Sequence, residues 1–90
     1  MTTAAGAAAT AAALHDHIVT AHAPDAGTIP PDYDLIEGGV LDSLALVSLL
    51  SWIGRRFELP VEELDLDPRR LRSIAALAEF VEANRAHAVP

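Results

Sequence analysis

One serine in this sequence combines a reactive side chain with a position that suits a phosphate group. Ser43 follows Asp42 and opens a segment whose apolar residues recur with helical spacing. Because Asp is a good N-cap residue, the helix is predicted to begin at Ser43. The unpaired N–H groups and the positive end of the helix dipole favour an anion beside the first turn. Ser43 is therefore well placed to carry or to contact a phosphate.

The helix that begins at Ser43 is predicted to leave this serine exposed. At about 100° per residue, one narrow sector of residues 43–57 collects large apolar side chains, and we assign it to the core. This core face consists of Leu46, Leu49, Leu50, Ile53 and Phe57. The opposite, outer face collects Leu44, Ser48, Ser51 and Arg55. Val47 and Trp52 flank the outer face.

Two more helices, a long loop and one short element are predicted around this helix. A first helix covers about residues 11–22, with Leu14 and Ile18 on one face, and it ends before Pro24. Residues 23–41 hold three Pro and three Gly, which is typical of a loop. A short helix or turn is predicted around residues 61–64. A last helix follows Ser73, which can cap it, and continues to about Asn84.

The long loop is predicted to pack onto the core, because it carries apolar residues that need an apolar environment. These residues are Ile29, Tyr33, Leu35, Ile36, Val40 and Leu41. The last helix offers an apolar stripe of Ile74, Leu77, Ala78 and Val81, with Phe80 at its edge. No segment alternates as a strand does. The predicted fold is all-α, a small bundle of three main helices plus one short helix, with the long loop between helices 1 and 2.

Three regions are predicted along the chain. Residues 1–10 are expected to be an Ala-rich flexible N-terminus, because a run without large apolar residues has little to bury. Residues 11–85 are expected to form the domain, and residues 86–90 a flexible C-terminal tail. Ninety residues allow one domain.

Charge and composition exclude several function classes. Thirteen acids against six basic residues give a net charge of −7, which argues against binding to nucleic acids or to anionic membranes. Without Cys there is no disulfide framework, no CxxC zinc site and no thiol nucleophile. The uncharged start, rich in Ala and Thr, lacks the basic region of a signal peptide, so a cytoplasmic location is expected. The Ala-rich composition suggests a bacterial genome rich in GC.

Metal binding and serine catalysis both find little support in the spacing of residues. His15 and His17 diverge on a helix, and His15 and His22 share a face but lack an evident third ligand. We therefore expect no metal site. A nucleophilic Ser43 needs a base and an enclosed pocket, but the chain has no GxSxG motif and is too small for a deep pocket. We also expect no enzymatic activity.

The residues from about Leu14 to Asn84 resemble the acyl carrier protein family. The likeness is carried by GVLDSL, by the Leu-rich helix after it and by LDPRRLRSIAALAEFV. The attachment motif of that family is Asp-Ser-Leu or a close variant, here Asp42, Ser43 and Leu44. The resemblance implies that a phosphopantetheinyl transferase attaches 4′-phosphopantetheine from coenzyme A covalently to Ser43. It also implies that Asp42 helps the transferase to engage the site and that Leu44 is a first contact for partners.

The resemblance further implies a carrier that works with partner enzymes. A ligase or acyltransferase loads an acyl or aminoacyl group onto the thiol of the arm, and the carrier presents it to a downstream synthase such as a ketosynthase. We expect a freestanding, monomeric protein. The surface predicted to face its partners consists of Leu44, Val47, Ser48, Ser51 and Arg55.

The outer face of the helix after Ser43 departs from the pattern of fatty-acid-type carriers. Those carriers usually display carboxylates there, whereas this chain has Ser48, Ser51, Gly54, Arg55 and Arg56. We therefore expect a carrier of a specialised pathway, such as polyketide, antibiotic or related secondary-metabolite biosynthesis. Two alternatives stay open. One is an aminoacyl or peptidyl carrier of a nonribosomal-peptide-type pathway, and the other is an interaction module of the same fold without a prosthetic group.

Overall fold

Three α-helices make up the regular structure of the part of the chain that the computed structural model describes, namely residues 3–61, 64, 67 and 70–88. They are α1 (Thr3–His22), α2 (Ser43–Phe57) and α3 (Ile74–Ala88), and no strand occurs among the described residues. The prediction of a small all-α fold is confirmed. No helix in this part of the chain is long and apolar enough to cross a membrane.

Helix α2 has the bounds that the sequence predicts. Asp42 lies in an extended conformation, and its Oδ1 accepts a hydrogen bond from the N–H of Ala45 at 2.8 Å. At the other end, Glu58 adopts the left-handed conformation with φ 56°, and its N–H bonds to the carbonyl of Gly54. Of the predicted core face, Leu46, Leu49, Leu50 and Ile53 are buried, while Phe57 is partly buried.

Helices α1 and α3 both extend beyond their predicted bounds. Helix α1 begins at Thr3 rather than near residue 11, because Ala favours helix and because α1 packs against α3. Thr10 is buried there and donates a 2.6 Å hydrogen bond from Oγ1 to Oε2 of Glu82. Helix α3 is capped by Ser73, as predicted, since the Oγ accepts a bond from the N–H of Ala76, and it continues to Ala88. Residues 1–2 and 89–90 of the two predicted flexible ends lie outside the described residues.

One core joins the three helices and the loop. Its buried residues are Leu14, Ile18, Ile29, Leu35, Leu41, Leu46, Leu49, Leu50, Ile53, Leu59, Leu71, Ile74, Leu77, Ala78 and Val81. The loop residues therefore pack on the core as expected, with one exception. Tyr33 is 40% exposed because its ring lies across Gly38 at the surface, where the hydroxyl is 3.5 Å from the Gly38 carbonyl oxygen.

The short element predicted around residues 61–64 is described only in part. The N–H of Leu64 donates to the carbonyl of Val61 at 3.3 Å, which is the spacing of a single 3₁₀ turn. Glu62 and Glu63 lie outside the described residues.

Candidate functional site

Ser43 lies exposed at the first position of α2. The two flanking residues of the predicted motif are exposed as well, Leu44 to 81%. Asp42 accepts the N–H of Ala45 with its side chain and the N–H of Leu46 with its carbonyl at 2.9 Å. The N–H groups of Ser43 and Leu44 belong to the first turn, where a helix has no acceptor of its own for them. The hydroxyl thus stands beside two backbone donors at the positive end of the helix, which suits a phosphate.

A tight turn before Asp42 sets the direction in which α2 begins. The carbonyl of Leu35 accepts bonds from the N–H groups of both Val40 and Leu41, at 2.9 and 3.0 Å. Gly39 lies inside this turn with φ 81°, a conformation that glycine adopts without the strain of a side chain. Because Leu35 and Leu41 are both buried, the two ends of the turn are fixed to the core and Asp42 follows directly at the surface.

Asp34 and Arg72 tie this turn to the segment before α3. Asp34 Oδ1 accepts the backbone N–H groups of Ile36 and Glu37, and the Arg72 guanidinium lies 3.1 Å from Asp34 Oδ2. The N–H of Leu35 also donates to the Arg72 carbonyl at 2.7 Å. The bond from the Glu37 N–H, with help from Arg72, lowers the pKa of Asp34 below its ordinary value. This cluster was not predicted from the sequence. The Asp34 turn has a local signal, but its partner stands 38 residues away.

His15 anchors the first part of the long loop to α1. Its Nε2 accepts a 3.0 Å hydrogen bond from the backbone N–H of Ile29, whose side chain is buried. An accepting Nε2 places the imidazole proton on Nδ1, the nitrogen 3.5 Å from Asp16 Oδ1. His15, whose spacing to His17 and His22 raised only the question of a metal site, thus has a structural role. Among the described residues, no group of three or more His, Asp or Glu is placed to hold a metal ion.

The five residues predicted to face partners lie on the exposed side of α2. Leu44 and Val47 are the most exposed of the large apolar residues that the structure describes, at 81% and 62%. The three others, Ser48, Ser51 and Arg55, are exposed as well. The structure therefore brings these residues together in one strip that begins beside Ser43.

Trp52 lies outside this strip and packs against α1. Its ring is stacked on the ring of His17, with centroids 3.9 Å apart and planes 9° apart, and it meets the ring of Phe57 edge-on. His22 contacts His17 edge-on, at 6.0 Å between centroids. Burial, and secondarily the charge of His22, lowers the pKa of His17. Trp52 is thus a packing residue at the edge of α2.

A groove of about 390 Å³ runs along α3. It is lined by Asp67, Arg70, Leu71, Ala76, Glu79, Phe80, Ala83 and Asn84. None of these residues belongs to α2, so the groove is separate from the strip beside Ser43.

Comparison with known families places most of the chain in one of them. The sequence profile of the PP-binding family, described as a phosphopantetheine attachment site, matches residues 19–81. This range takes in the end of α1, the long loop, all of α2 and α3 as far as Val81. Neither the curated proteins nor the solved structures gave a match. The matched range covers more than two thirds of the chain and includes Ser43.

Proposed function

Because the chain belongs to the phosphopantetheine attachment site family, we propose that Ser43 is the residue that carries its prosthetic group. Members of this family act as carriers with a covalently attached 4′-phosphopantetheine arm. The observation that supports Ser43 is its exposed hydroxyl at the N-terminus of α2, between Asp42 and Leu44. The arm supplies a terminal thiol, on which an acyl or aminoacyl group is held as a thioester.

The residues around Ser43 fit a phosphodiester at this position. In the attachment reaction, Ser43 Oγ loses its proton to the transferase and forms a bond to phosphorus, and the pyrophosphate of coenzyme A is cleaved to release adenosine 3′,5′-bisphosphate. The first-turn N–H groups would hold the charged phosphate oxygens of the attached group. Asp42 caps the helix and keeps these donors in place, since its carboxylate is bonded to the N–H of Ala45.

Partner enzymes are proposed to contact the strip of α2 that begins beside Ser43. Carrier domains in general interact with transferases and synthases, and each such enzyme has to reach the attachment residue. The strip offers two exposed apolar side chains and polar neighbours, namely Leu44, Val47, Ser48, Ser51 and Arg55. Exposed apolar side chains that gain a partner contribute to affinity, whereas they contribute little to the fold of the free carrier.

We place the carrier in a specialised pathway, such as polyketide or related secondary-metabolite biosynthesis. The support is the charge of α2, which contains two Arg and neither Asp nor Glu. Within the acyl carrier protein family, which this chain resembles, carriers of the fatty-acid type usually display carboxylates on this helix. A different charge on the contact surface requires a different set of partners.

Intact mass tests the assignment of Ser43. The purified chain is incubated with coenzyme A and a broad-specificity phosphopantetheinyl transferase, beside Ser43→Ala and Thr20→Ala. Thr20 is the matched control, because it offers an exposed hydroxyl on α1, away from the proposed site. We expect the mass of one phosphopantetheine group on the wild type and on Thr20→Ala, and none on Ser43→Ala. A folded wild type that gains nothing, or a Ser43→Ala variant that gains the group, contradicts the assignment.

A further inference from the structure

The charge of α2 differs from that of the chain as a whole. The chain has thirteen acidic residues against six basic ones, but residues 43–57 contain Arg55 and Arg56 and no acidic residue. Asp42 and Glu58 stand immediately outside the two ends of the helix. A partner that covers α2 therefore meets a positive charge at its C-terminal end, within a protein whose net charge is −7.

Arg55 is the cation that lies on the same face as the exposed apolar residues. It follows Leu44 by eleven residues and Ser51 by four, and both spacings return to the same side of a helix. It is exposed, and within the described part of the chain no carboxylate lies within ion-pair distance of it. Arg72, in contrast, is engaged by Asp34 and Glu37.

Arg56 offers the same charge at the same end of α2 but points elsewhere. It is displaced from Arg55 by about 100° around the helix. Its guanidinium carbon lies 5.1 Å from the centroid of the Phe57 ring, the arrangement of a cation–π contact. Both arginines interact favourably with the negative end of the helix dipole, so stabilisation of α2 does not distinguish them. The two arginines differ instead in their positions relative to the exposed strip.

We propose that the outer face of α2 docks a partner enzyme whose surface combines an apolar patch with a carboxylate, and that this carboxylate pairs with Arg55. The inference rests on the proposed attachment at Ser43. The apolar patch of the partner covers Leu44 and Val47, and the burial of these side chains supplies affinity. The ion pair fixes the orientation of the partner along the helix. Ser43 and Arg55 are about 18 Å apart along the helix axis, so the contact surface of the partner has to extend over that length.

The test measures the transfer of an acyl group to the holo-protein by an acid-activating ligase that loads the wild-type carrier. Holo-protein is first prepared with the phosphopantetheinyl transferase and checked by intact mass, for the wild type, Arg55→Glu, Arg55→Lys and Arg56→Glu. The kcat/KM for the carrier is then determined at low and at high salt. Circular dichroism and thermal unfolding show whether each variant keeps its helices.

We expect Arg55→Glu to lower kcat/KM about tenfold, mainly through KM, because it places two like charges opposite each other. Arg55→Lys retains the charge and is expected to stay close to the wild type. Arg56→Glu changes the net charge and the interaction with the helix dipole to the same extent as Arg55→Glu does. It is nevertheless expected to change kcat/KM less than about twofold. High salt is expected to remove most of the difference between wild type and Arg55→Glu. Reversal of one ligase carboxylate to Arg is expected to restore loading of Arg55→Glu.

Equal losses in Arg55→Glu and Arg56→Glu would overturn the inference, because they would mean that only overall charge or helix stability matters. Faster loading of Arg55→Glu would show a basic partner surface and would also overturn it. Failure of the proposed function is a separate result, because in that case no holo-protein forms and the ligase step is never reached.

Discussion

Leu49 and Leu44 belong to the same helix, but Leu49 is fully buried whereas 81% of Leu44 is exposed. The buried face of α2 packs into the core with α1, α3 and the long loop. The exposed face carries apolar side chains that the fold of the free protein does not use. One helix thus has a face that maintains the structure and a face available for a partner, and the two are expected to respond differently to substitution.

The largest effect is expected when one leucine from each face is truncated. Leu49→Ala removes a fully buried side chain and is expected to lower the free energy of unfolding by about 2–5 kcal/mol. Leu44→Ala removes an exposed side chain and is expected to change it by less than about 0.5 kcal/mol. Urea unfolding followed by circular dichroism measures both. Similar losses in the two variants would mean that Leu44 supports the fold, and the contrast between the faces would be lost.

A charge on the exposed face is expected to impair loading and to leave stability unchanged. Leu44→Glu places a carboxylate where an apolar contact is proposed, and it is expected to slow acyl loading of the holo-protein about tenfold. Thr20→Glu adds the same charge at an exposed position of α1 and serves as the matched control. If both variants load at the wild-type rate with intact helices, the contact surface lies elsewhere on the protein.

Lowering the pH is expected to have a smaller effect on stability. It acts through the stacked rings of His17 and Trp52, where α2 meets α1. Because the pKa of His17 is lowered in the folded protein, the unfolded chain binds a proton more readily. This contribution to stability is complete above the ordinary His pKa of about 6.5 and is lost as the pH falls through that value towards the lowered pKa. Since Trp52 is the only Trp, its fluorescence reports on this contact.

Other titratable or charged groups near the contact of His17 with Trp52 also bear on its pH dependence. His22 on α1 meets it edge-on, and on α2 the Arg56 guanidinium lies over Phe57, whose ring touches Trp52. We expect a fluorescence transition with a midpoint below 6.5 in the wild type and none in His17→Gln. A transition that persists in His17→Gln would contradict the assignment of the effect to His17.

The sequence predicted the parts of the fold that depend on local signals. Asp42 as a cap, the bounds of α2, its buried face and the cap at Ser73 all follow from residues within a few positions of one another. Contacts between distant residues gave no such signal. The early start of α1 depends on packing against α3, where Thr10 meets Glu82, and the Asp34 turn depends on Arg72.

The position of Ser43 at the head of an exposed helix face was predictable for the same local reason. The contacts of the long loop that precedes Ser43 were not predictable in this way. His15 bonds to the N–H of Ile29 fourteen residues away, and Tyr33 lies over Gly38 instead of entering the core. Both arrangements depend on how the long loop lies against the helices, which residue spacing alone does not specify.

The most direct test of the central claim is to locate the prosthetic group by fragment mass spectrometry of the holo-protein. We predict that the added mass lies on the peptide that contains Asp42 and Ser43, and that fragment ions place it on Ser43. Ser48 and Ser51 lie on the same exposed helix face and provide the internal comparison. An added mass on either of them, or on Ser73, would contradict the assignment of Ser43 as the attachment residue.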